Sequence, residues 1–158
     1  VGKIRLLTNN PHKRVGLAAH GLEIVEEEGG KLYPRSMRAT DVRGALRSFS
    51  AMERETVGAY NSAVERKNDG RLSDKDFADL IEREILPKWK AALCRLEEIG
   101  NVPQSQAEAF SRIIRYARLR DEAWTLSAAA LRDRDPSKAG EAEQKSREIE
   151  ALLDQGKQ

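Results

Sequence analysis

Cysteine, histidine, aromatic residues and long apolar runs are all scarce in this chain. One cysteine, Cys94, occurs in 158 residues, so no internal disulfide can close. The two histidines, His12 and His20, have no cysteine or clear carboxylate beside them, and no metal site is expected. Aromatics make up 5% of the chain, too few for a row of base-stacking platforms. The excess of cations over anions is small, 28 against 26, and gives no global pull toward nucleic acid or acidic lipid. No apolar run approaches the ~20 residues that span a bilayer. The opening Val-Gly-Lys-Ile-Arg-Leu-Leu lacks the apolar core and cleavage site of a secretory signal. These absences predict a cytoplasmic chain with no nucleic-acid partner and no membrane insertion. The start at Val1, almost on top of an expected strand, predicts a fragment or a processed chain.

What is present is enough apolar residue to fold, 39%, beside 34% charged residues. The predicted fold class is mainly α, with a small N-terminal β-α-β unit followed by an antiparallel bundle of about four helices. Residues 1–28 are assigned to the β-α-β unit, 29–38 to a linker and 39–158 to the bundle. Lys3 to Leu7 reads as a strand. Asn10 and Pro11 are good N-cap and first-turn residues for a helix, which Gly21 would end. Leu22 to Glu26 alternates as a half-buried strand does. Glu26-Glu27-Glu28, Gly29-Gly30 and Pro34 then solvate or break the chain; the glutamates read as a solvated strand end rather than an acid–base pair.

Beyond Thr40 the apolar residues recur at spacings of three and four. Val42, Leu46, Phe49, Met52, Thr56, Tyr60 and Val64 mark a first helix, capped by Thr40 or Asp41 and ended by Asn68-Asp69-Gly70. Ser73 and Asp76 form a capping-box variant for a second, with Phe77, Leu80, Ile81, Ile85, Trp89, Leu93 and Leu96 on its apolar side and Pro87 set to kink or split it. Pro103 opens a third helix, carrying Phe110, Ile113, Ile114, Ala117, Trp124, Ala128 and Leu131. Asp135-Pro136 caps a fourth, weaker one with Ala139, Ala142, Ile149 and Leu153.

Chemistry-bearing residues are few. Thr8-Asn9-Asn10-Pro11-His12-Lys13 would place a hydroxyl, an ammonium and free backbone N–H groups at one helix start, which suits an anion. On spacing alone, Lys13 and Arg14 read more readily as solvated cations. Trp89 and Trp124 read as core anchors. Cys94, between Leu93 and Leu96, reads as a small buried hydrophobe without a histidine to activate it. The run Arg112, Arg115, Arg118 and Arg120, diluted by Glu108, Asp121 and Glu122, reads as a solvated helix face.

A resemblance adds to these readings. Ile4 to Lys13, with Gly16-Leu17 and Gly21 to Glu26, resembles the C-terminal segment of GTP cyclohydrolase II over residues 1–26. That family opens the imidazole ring of GTP in riboflavin synthesis, releasing formate and pyrophosphate. The resemblance implies that Thr8 and Lys13 contact GTP or its phosphates, weakly in the absence of the rest of the site. It also implies what this chain lacks. The family holds zinc through three cysteines, and its catalytic Asp and Arg lie upstream of the matching segment. No catalytic residue, metal ligand or cofactor is therefore assigned here, and zinc is expected only in a full family enzyme. Where the family continues with an Arg-Val-Pro-Leu-like stretch, this chain has Glu27-Glu28-Gly29-Gly30. Ile85 to Trp89 and Arg118 to Trp124 are similar to helical extensions of some bacterial proteins, rhomboid-type membrane proteins among them.

The expected function is thus the C-terminal part of a GTP cyclohydrolase II-like protein with an appended helical domain, not catalytic alone. The alternative is a non-enzymatic helical interaction module, binding a protein or covering a membrane-proximal site, with a remnant nucleotide-binding segment.

Overall fold

The computed structural model describes residues 37–100 and 102–156. Helix α1 runs Met37–Asn68, α2 Asp74–Leu80, α3 Leu86–Glu97, α4 Ala107–Asp133 and α5 Pro136–Gln155. A π-helical turn at Ile81–Ile85 joins α2 to α3, and a 3-10 turn at Gln104–Gln106 leads into α4.

The fold class expected from sequence is corrected on one point. Every regular element among the described residues is helical, and no strand occurs among them. The β-α-β unit expected at residues 1–28 lies outside the described residues. Short apolar runs such as residues 3–7 and 22–26 meet a strand pattern locally, but a strand needs a pairing partner, and periodicity over five residues does not supply one. The bundle itself agrees with the expectation.

Each helix boundary has a local cause. α1 starts at Met37, ahead of the expected cap at Thr40 or Asp41. It ends in a Schellman turn: the Gly70 N–H donates to the Lys67 carbonyl at 3.0 Å and the Arg71 N–H to the Arg66 carbonyl at 2.7 Å. Gly70 takes φ 74° there, a conformation without Cβ strain only in glycine. Ser73 caps α2, accepting from the Asp76 N–H at 3.0 Å while its hydroxyl donates to the Asp76 carboxylate at 2.7 Å. Pro87 splits the second helix as predicted. Proline has no N–H and its ring crowds the carbonyl four residues back. The chain widens just before it, and the Leu86 N–H donates to the Ile81 carbonyl, five residues back, as a π-turn does.

The α4–α5 connection is tighter. Arg134 adopts the left-handed conformation at φ 53°, and the Asp135 N–H donates to the Ala130 carbonyl at 3.1 Å. Asp135 then caps α5 by accepting from the Ser137 N–H at 2.9 Å. One residue thus closes one helix and opens the next, and α5 folds back along α4.

α4 is the central helix. It packs against α2, the π-turn and α3 on one side and α5 on the other, and its buried residues accordingly span a wide face from Phe110 to Leu131. α1 packs against α3 and the π-turn. The core is built around linked rings. Trp89 meets Phe49 at 5.3 Å, Trp124 at 4.9 Å and Tyr116 at 6.1 Å between centroids, and Tyr60 meets Phe77 at 5.4 Å and Trp124 at 5.3 Å. Six of the described aromatics are therefore concentrated where α1, α2, α3 and α4 meet. The Trp89 indole also donates to the Ala117 carbonyl at 2.8 Å, which fixes α3 on α4.

Candidate functional site

The two residues assigned to a phosphate contact, Thr8 and Lys13, lie outside the described residues, as do His12 and His20. Among the described residues two features stand apart from ordinary helix packing: a buried polar network and an open groove.

The network begins at Glu53. Along α1 the apolar stripe Val42, Leu46, Phe49 continues to Thr56, Tyr60 and Val64, and Glu53 falls within it. Its side chain is 0% exposed. On α4, Arg120 falls within the stripe Ile113, Ala117, Trp124 and is 1% exposed. Tyr116, one turn before it, joins the two. The Tyr116 hydroxyl donates to Glu53 Oε1 at 2.5 Å, and Arg120 Nη2 donates to the Tyr116 oxygen at 3.0 Å. The guanidinium carbon of Arg120 lies 5.2 Å from the Tyr116 ring centroid and 5.6 Å from that of Trp124, within cation–π range. Burial pushes the Tyr116 phenol far up, Arg120 opposes this, and Glu53 adds to it. The phenol stays protonated and works as a donor. Tyr60 nearby is also raised by burial, against a hydrogen bond with Ser127 and the charge of Arg120.

Opposite charges bridged by a hydroxyl stabilise one another away from bulk solvent. Glu53, Tyr116 and Arg120 are all buried among the described residues, beside the Trp124 ring. The network ties α1 to α4.

The expectation that Arg112, Arg115, Arg118 and Arg120 form a solvated face is corrected at Arg120. Arg112 pairs with Glu108 at 2.5 Å, Arg118 pairs with Glu97 at 2.7 Å, and Arg115 is exposed. Arg120 points into the core because Glu53 and Tyr116 neutralise it there. Cys94 is also corrected. It is exposed on α3 rather than buried, its thiol 3.7 Å from Glu98 Oε1, because the buried face of that helix passes through Trp89 and Leu96. Leu93 is only half-buried for the same reason. Trp89 and Trp124 are core residues, at 0% and 1% exposure. The Trp124 indole nitrogen has no hydrogen-bond partner among the described residues.

The groove lies between α1 and α3 and has a volume of about 320 Å³. Ala45, Phe49 and Met52 form its α1 side and Ala92 part of its α3 side, with Lys88 and Arg95 at the rim. Lys88 of α3 pairs with Glu55 of α1.

No group of three or more histidine, cysteine or carboxylate side chains able to hold a metal occurs among the described residues. The sole cysteine of the chain is exposed and isolated, so a zinc site of the three-cysteine kind does not fit these residues. Among the described residues no helix is long and apolar enough to cross a membrane.

Residues 1–29 match the family model of GTP cyclohydrolase II. No curated protein and no solved structure matches the chain. The match is therefore to a segment of that family, and the resemblance of the helical part to rhomboid-type extensions finds no support in any match.

Proposed function

We propose that this chain is the C-terminal part of a GTP cyclohydrolase II-like riboflavin-biosynthesis protein to which a helical bundle is appended. In this reading Thr8 and Lys13 supply part of the contact to the phosphates of GTP, through a hydroxyl and an ammonium, and the ring-opening chemistry belongs to residues outside this chain. The observation that supports it is the family match over residues 1–29, the stretch that holds both residues. A charge-assisted contact of this kind without the rest of the pocket binds at about 1 mM, near −4 kcal/mol, and weakens as salt rises.

The chain alone should leave GTP intact. Hydrolytic ring opening by this family uses zinc to activate water, and the chain carries one cysteine where three are needed. Formate release from GTP by purified chain with added zinc should equal the buffer rate; turnover above it contradicts the reading.

The second reading, a helical interaction module with a remnant nucleotide segment, is favoured by one observation. The α1–α3 groove has apolar side chains at its floor and cations at its rim, as a protein-docking surface has. The two readings are compatible if the bundle serves docking and the N-terminal segment serves the phosphate contact.

A further inference from the structure

We propose that the α1–α3 groove is the docking site for this chain's own acidic segment, Leu22 to Glu28. That stretch places Leu22, Ile24 and Val25 beside Glu23, Glu26, Glu27 and Glu28, with no cation among the seven. The groove offers the complement. Ala45, Phe49, Met52 and Ala92 give an apolar floor, and the charged side chains lining it, Lys88 and Arg95, are both cationic. Lys88 is tied to Glu55, while Arg95 is exposed and has no carboxylate partner among the described residues. An unpaired cation at the edge of an apolar trough is where an acidic segment with aliphatic anchors gains both contacts at once.

The tether allows it. Eight residues separate Glu28 from Met37, and such a linker can span up to about 30 Å. From Met37 to Ala45, α1 rises only about 12 Å. The local concentration set by so short a linker is on the order of millimolar, so a contact too weak to hold two molecules together can hold within one. Docking there would fasten the family-matching segment to the bundle and explain why the two share a chain. The proposal rests on the groove and the charge pattern and holds whether or not Thr8 and Lys13 contact phosphate, and its test contains no nucleotide.

Cys94, exposed next to Arg95, is the chain's one thiol and takes a nitroxide label without further substitution. With the full-length chain, the label should broaden the amide peaks of residues 22–28, and reduction of the nitroxide should restore them. Arg95→Glu should remove most of the broadening. In that background, Glu26→Lys with Glu27→Lys and Glu28→Lys should bring it back. Arg95 is exposed, so the reversal leaves the core intact, and an unchanged far-UV spectrum and melting curve check this. Broadening that is absent, or insensitive to both charge reversals, overturns the proposal. Broadening that appears when labelled unenriched chain is mixed with unlabelled enriched chain also overturns it, and assigns the groove to a second copy.

Discussion

At the residue scale, two side chains carry more than their neighbours. Glu53 is a carboxylate in the middle of an apolar stripe, held by Tyr116 at 2.5 Å. Glu53→Ala would take the carboxylate out of the network and remove the acceptor of the Tyr116 hydroxyl's 2.5 Å hydrogen bond in the core. Removing one member of a buried charge pair costs about 3–5 kcal/mol. Denaturant melts should show a loss in that range, and a loss under ~1 kcal/mol would mean that the network does not hold α1 to α4. Arg134 is the opposite case, a non-glycine in the left-handed region at φ 53°. Arg134→Gly should remove that strain and stabilise the chain by about 1 kcal/mol, partly offset by the greater freedom of glycine when unfolded. A melting temperature that falls instead would show that the Arg134 side chain makes a contact worth more than the strain. Neither residue stands out by composition. The expected stripe ran through Met52 and passed Glu53 by, and Arg120 was read as a solvated cation, so neither was legible as a core residue. Glu53 and Tyr116 are 63 residues apart in sequence, and local spacing carries no information about so distant a partner. Without Glu53 in view, Arg120 belongs with Arg112 and Arg118 on a wet face.

At the scale of elements, ion pairs stitch the helices on the outside. Arg132 of α4 holds Glu82 of the π-turn at 2.8 and 2.9 Å and Asp79 of α2 at 2.5 Å. The hydrogen bond from Arg132, and after it that from Lys75, lowers the Asp79 carboxyl below its ordinary value of 3.8, against a smaller desolvation effect. A depressed folded pKa stabilises the fold above the unfolded value, and that contribution is lost as the pH falls through the folded one. The stability that Asp79 contributes should therefore disappear in a window that opens near pH 4 and extends below it. Asp79→Asn should flatten the pH dependence of the melting temperature in that window and leave its shape unchanged near neutral pH. An unaltered acid limb would show that Arg132 is held by Glu82 alone. Most element boundaries were legible because their causes are local: Gly70 after Asn68, Ser73 with Asp76, Pro87 within a helix, Asp135 before Pro136. The π-turn was legible as a break at Pro87, but its register was not. That register depends on Ile81 and Ile85 both staying buried while the chain makes room for the ring. Cys94 was misread because it was placed by its neighbours Leu93 and Leu96 in sequence, whereas at five residues from Trp89 it lies well round α3 from the buried Trp89 and Leu96; Leu93 packs against the core, half-buried.

At the scale of the whole molecule, two parts of different character share one chain. The bundle is a packed core of linked aromatic rings with an internal charge tie. The family-matching part, residues 1–29, carries the residues that the resemblance connects to a ligand. The proposed phosphate contact rests on a local motif, Thr8-Asn9-Asn10-Pro11 with Lys13, whereas the groove has no such motif. The groove forms where Ala45 and Ala92, too small to fill the space between two helices, both line the gap, and that pairing between distant stretches of sequence has no local signature. The central claim is that Thr8 and Lys13 touch phosphate. Titrating the isotope-labelled full-length chain with pyrophosphate, then GTP, at low salt tests it residue by residue. The amides of Thr8 to Lys13 should show saturable shifts with an apparent Kd near 1 mM, about −4 kcal/mol. Lys13→Ala should weaken them and Lys67→Ala should not. Fixed peaks from Thr8 to Lys13 while others move, or equal binding by the Lys13→Ala chain, would contradict it.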